Sequence, residues 1–131
     1  MEMRINVVPN NILPKQYSVS NPPPISGNLS KTILSPTLNN IVYTVPSYIT
    51  YVNCTISIVN DGAMQSIFKL YISSNKVPNR VDLIEPSSML IVGNGVYIRD
   101  NIRLSKNENV IVYTDSENLI VRVDGIENIL V

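Results

Sequence analysis

The chain is 131 residues long, one domain's worth, with ten basic and ten acidic residues and no net charge. Neutrality and scattered Lys and Arg give nucleic acid and anionic membrane no long-range attraction, so neither is an expected partner. The chain has no His and one Cys, Cys54. This excludes Ser-His-Asp and Cys-His catalytic pairs, His-bearing zinc sites and an intrachain disulfide.

Eighteen Ile and sixteen Val stand against a single Ala, Ala63, while nine Pro and seventeen Asn punctuate the chain. β-Branched side chains pack well on a pleated surface, and Pro and Asn suit turns. The composition predicts an all-β domain with many connections.

Residues 1–38 differ from the rest. Pro9, Pro14, Pro22, Pro23, Pro24 and Pro36 crowd them, and three consecutive prolines favour an extended backbone without N–H donors. Short apolar pieces, among them Ile12, Leu13, Ile33 and Leu34, lie between the prolines. The segment reads as an extended arm with anchor points that wraps its own domain or lies on a neighbour. Met1 to Asn11 lacks the apolar centre of a signal peptide, and no apolar run approaches the ~20 residues that span a bilayer.

Residues 39–131 read as a meander of seven to nine short strands. Asn39-Asn40 is a turn candidate before Ile41 to Val45, and Pro46 ends that strand. In Tyr48 to Val59, Val52, Cys54, Ile56 and Ile58 alternate with Asn53, Thr55 and Ser57, so one face is packed and the other polar. Cys54 is expected to be a buried, inert thiol. Asp61-Gly62 suits a hairpin turn, and Val52–Val59 is expected to pair with Ser66–Ser73, where Phe68, Leu70 and Ile72 share a face. Val81 to Ile84 and Ser88 to Val92 are further strand candidates. Gly93-Asn94-Gly95 leads into a strand, Val96 to Arg99, and so reads as a hairpin reversal; a phosphate-holding loop would lead into a helix. Val110 to Thr114, then Leu119, Val121 and Val123 alternating with Ile120, Arg122 and Asp124, complete the pattern, with a last short strand ending at Val131. The expected fold is an antiparallel β-sandwich, jelly-roll or immunoglobulin-like, with an extended N-terminal arm.

No catalytic equipment stands out. The carboxylate pairs Asp82/Glu85, Asp115/Glu117 and Asp124/Glu127 fit solvated turns better than a glycosidase pair across a groove. No catalytic, metal or cofactor-binding residue is assigned, and no cofactor is expected. The tyrosines, including Tyr71 and Tyr97, recur on strands without interleaved basic residues, which suits packing at sheet faces or a subunit interface. Apolar side chains on both faces of some strands predict that one sheet is also covered on its outer side.

The phrases Tyr43-Thr44-Val45-Pro46, Val52 to Asn60, Phe68 to Ile72 and Leu104 to Glu127 together resemble small β-sandwich virion proteins of tailed bacteriophages. These are the accessory domains of capsid decoration, head–tail junctions or tails. The resemblance spans about Ile41 to Glu127. The family often has Gly where this chain has Lys106-Asn107-Glu108-Asn109. What the resemblance implies is a non-enzymatic virion component that assembles with copies of itself, as a homotrimer, and docks on other virion proteins. Candidate assembly contacts are Ile12, Leu13, Ile33, Leu34, Tyr71 and Tyr97. The alternative is a carbohydrate-binding module with a tyrosine-lined groove near the turns.

Overall fold

The structure, a computed structural model, describes residues 21–130. Eight strands follow one another: β1 (Ser26–Ile33), β2 (Asn39–Thr44), β3 (Tyr51–Asn60), β4 (Ser66–Ser73), β5 (Met89–Ile91), β6 (Val96–Ser105), β7 (Asn109–Thr114) and β8 (Leu119–Asn128). One 3-10 turn, Arg80–Asp82, interrupts the connection from β4 to β5.

The pairing has a simple logic. β1 pairs with β8, β2 with β7, β3 with β6 and β4 with β5, all antiparallel. These pairs make one long two-stranded ribbon. Wrapping the ribbon lays β8 against β3 and β7 against β4. Two four-stranded sheets result, in the orders β1-β8-β3-β6 and β2-β7-β4-β5. Only the β4–β5 connection stays within one sheet. The fold is therefore an antiparallel β-sandwich of the jelly-roll kind, which decides between the two topologies the sequence left open.

Period-two alternation builds the core. Val52, Cys54, Ile56 and Ile58 of β3 and Val121 and Val123 of β8 face Phe68 and Leu70 of β4 and Val110 and Val112 of β7 across the sandwich. Phe68 is fully buried, and burying a side chain of that size contributes about 2–3 kcal/mol. Three bulges adjust the alternation, at Leu29 in β1, Val42 in β2 and Asp100-Asn101 in β6. The β6 bulge puts Asn101 at φ 57°. It keeps Tyr97 and Arg99 on the same inward side as Ile102 and Leu104 by absorbing one extra residue.

Asn60 organises one end of the sandwich. Its buried side chain donates to Met64 O (2.8 Å), Ile91 O (3.2 Å) and Val92 O (3.2 Å), and its Oδ1 accepts from the Gly62 N–H (3.0 Å). The Asp61 N–H donates to Asn118 O at 2.9 Å. One amide thereby fastens the β3–β4 and β5–β6 connections together, with the β7–β8 connection joined through Asp61. Gly93 sits so close to the Ala63 backbone that a Cβ there would overlap it.

Several expectations are corrected. Residues 26–33, placed in the arm, form edge strand β1, and Leu34 is 2% exposed in the core. The sandwich therefore begins inside residues 1–38, not at residue 39. Residues 1–20, with Ile12 and Leu13, and Val131 lie outside the described residues. β3 and β4 are not a hairpin, because they belong to opposite sheets. Gly93-Asn94-Gly95 also carries the chain between sheets; Asn94 at φ 59° and the Gly95 N–H on Val92 O (2.9 Å) make the tight reversal. Val81 to Ile84 is a 3-10 turn followed by a single bridge, Tyr71 to Leu83. Of the last strand candidate, Ile126 to Asn128 continue β8 beyond Gly125, where the β3 backbone at Asn53 and Cys54 leaves no room for a Cβ, while Ile129 and Leu130 lie outside any strand.

Candidate docking surface

The outer face of the β1-β8-β3-β6 sheet is the candidate site. Register aligns Ile33 with Ile120, Ile120 with Val59, and Val59 with Val96. One apolar row thus crosses all four strands near the Asn60 end. Ile33 is 71% exposed and Val96 57%, while Val59 and Ile120 are partly covered. The next row toward the middle of the sheet is Lys31, Arg122, Ser57 and Ile98, with Ile98 59% exposed. Two shallow grooves flank the Ile33–Ile120 ridge. One is lined by Lys31 and Thr32, the other by Asp61, Glu117 and Asn118. The row therefore has a cationic flank and an anionic flank.

Farther along the same face the character changes. Asp124 accepts from Asn28 (3.1 Å) and pairs with Arg122 (3.0 Å), and Thr55 donates to Asp100 at 3.0 Å. Beside the β6 bulge, Asn53, Thr55, Asn101, Asp124 and Ile126 line a shallow depression of about 190 Å³. The Arg103 guanidinium stacks 3.9 Å from the Tyr51 ring centroid.

The other sheet is covered differently. On its outer face Ile41, Ile111 and Tyr71 stand in one row. Ile111 is fully buried there, although it does not belong to the inner core.

The two open sides of the sandwich are each clasped by a tyrosine and a carboxylate. On one side, the Tyr43 hydroxyl donates to Glu127 Oε2 at 2.7 Å, and the Ile25 N–H donates to Glu127 Oε1 at 2.9 Å. Burial, and then the adjacent carboxylate, hold the Tyr43 hydroxyl far above the usual phenol range. On the other side, the Tyr97 hydroxyl and Arg99 Nη1 (2.6 Å) both donate to Glu85 Oε2. Burial and the carboxylate push the Tyr97 hydroxyl up to about 12. The Tyr97 hydroxyl, followed by Arg99, holds Glu85 below the usual carboxylate range. Both carboxylates were expected in solvated turns. Glu85 is instead a strap between a long loop and β6, and Glu127 faces inward from β8, 5% exposed.

Of the candidate contacts, Ile33 lies on the apolar row. Leu34 is core and presents no surface. Tyr71 lies half-buried on the opposite sheet. Tyr97 faces inward, half-buried, with its ring 4.8 Å from that of Phe68. Val59, Val96, Ile98 and Ile120 were missed. The signal was present, because each is an apolar residue at the out-of-phase position of an alternating strand.

Cys54 is buried as expected, and burial pushes its thiol up to about 11. Among the described residues no three Cys, Asp or Glu side chains converge to hold a metal ion, and no helix is long and apolar enough to cross a membrane. Comparison with protein-family models and with curated proteins gives no match.

Proposed function

We propose that the protein is a non-enzymatic structural component of a tailed-bacteriophage virion, assembling with copies of itself and docking on capsid or tail proteins. The observation that carries this reading is the Ile33-Ile120-Val59-Val96 row, an apolar band across a sheet face that burial against a partner would remove from water. The jelly roll is compatible with it, since viral capsid domains use this architecture, although lectins and cupins do as well. The virion itself comes from the sequence resemblance. The carbohydrate-binding alternative has less support, because the depressions beside the row and beside the β6 bulge are lined without tyrosine.

The test is quantitative mass spectrometry of purified particles from the source culture, with antibody labelling in electron microscopy. A fixed copy number per particle and labelling at one position are expected. A protein left wholly in the soluble lysate, with particles devoid of it, overturns the reading.

A further inference from the structure

We propose that the apolar row is a self-complementary contact, seating the same row of a second copy face to face about a two-fold axis. This rests on the self-assembly in the reading above but not on the virion. The argument comes from the order of charge across the sheet. Lys31 and Arg122 lie on the mid-sheet side of the row, and Asp61 and Glu117 on the loop side. When two such faces meet about an axis running along the row, the rotation exchanges the two sides. Each copy's Lys31 flank then lies over its partner's Asp61 and Glu117 flank, and apolar side chains meet along the axis. A two-fold contact must be complementary to itself, and this pattern is.

The composition of the patch agrees. Its centre holds Ile33, Ile120, Val59 and Val96, and Lys31, Asp61 and Glu117 stand at its edges, the usual anatomy of a protein interface. Among the described residues no carboxylate pairs with Lys31, and Asp61 and Glu117 pair with no cation. Arg122 is held by Asp124 within its own copy, so Lys31 is the cation assigned to the contact. A homotrimer would use a different, heterologous pair of surfaces, so the row makes a dimer, or joins trimers in pairs.

The experiment uses the full chain in sedimentation equilibrium and native mass spectrometry over a concentration series. A reversible dimerisation step is expected. Val96→Glu and Ile33→Glu, at exposed positions, should abolish that step while leaving the thermal transition in place. Lys31→Glu should weaken dimerisation about tenfold, as should the double change Asp61→Lys, Glu117→Lys. Mixed together, those two charge variants should pair with each other better than either pairs with itself, because both rims of the mixed contact are then opposite in sign.

A chain that stays monomeric at all concentrations overturns the proposal. So does a dimer indifferent to Val96→Glu, or charge variants that fail to recover on mixing. If removal of residues 1–20 is needed before dimers form, the face belongs to the chain's own N-terminal segment and the proposal fails. None of these results decides whether the protein is found in particles, which the particle analysis reads separately.

Discussion

Asn60 shows how much can depend on one side chain. A buried amide that loses its partners costs about 1–3 kcal/mol for each polar group left unpaired. Asn60→Ala would strip the bonds from Met64, Ile91 and Val92 together, and is expected to lower stability by about 2–4 kcal/mol in urea denaturation. An unchanged midpoint would show that water replaces the amide at no cost. Gly125→Ala should be worse tolerated than an ordinary strand Gly→Ala, because a Cβ there meets the β3 backbone at Asn53 and Cys54, which cannot swing aside. A loss of about 1–3 kcal/mol in thermal or urea melts is expected. At this scale the sequence was partly legible. The inward set of β3 followed directly from its alternation. Glu127 could also have been placed, since it continues the parity of Leu119, Val121 and Val123. A carboxylate in that series reads as a turn residue because burying one is costly unless donors meet it, and here Tyr43 and the Ile25 N–H do.

At the scale of elements, strands were easy to find and their partners hard. Period two says which side chains share a face but not which sheet the strand joins. Asp61-Gly62 looks like a hairpin turn, yet the buried Asn60 just before it ties the connection to neighbouring loops, and the chain crosses to the other sheet. β1 was hidden for another reason. The prolines ahead of it gave residues 1–38 the look of an arm throughout, although Ser26–Ile33 contains none. This has a measurable consequence. Removing residues 1–20 should leave a cooperative thermal transition. Removing residues 1–38 takes away β1 and Leu34, exposes the edge of β8, and should give a protein with no cooperative transition. A cooperative melt from the shorter fragment would mean that β1 is dispensable.

The whole molecule is two sheets held by a shared core and by a tyrosine–carboxylate clasp on each open side. Both hydroxyls are raised in the folded protein relative to their usual value near 10. Between that value and the folded value the unfolded chain has already lost the proton while the folded chain retains it, so stability falls as pH rises. The contribution is complete below about pH 10 and, for Tyr97, is spent near pH 12. Glu85 acts at the opposite limit: its lowered value gives stability above about pH 4.5 that is lost as the carboxylate protonates. Urea midpoints measured from pH 9 to 11 should decline in the native chain and decline less in Tyr97→Phe. Parallel slopes would remove Tyr97 from this account. What composition could give at this scale was the architecture of stacked sheets. The clasps and the apolar row depend on register, which brings together residues as distant as Ile33 and Ile120.

Ile25 and Glu127 bond to each other at the end of the sandwich opposite Asn60. Residues 21–130 thus enter and leave the domain through one doorway, remote from the apolar row. A purification tag or fluorescent reporter joined directly at residue 21 or residue 130 would start from the end of the molecule that lies away from its oily band.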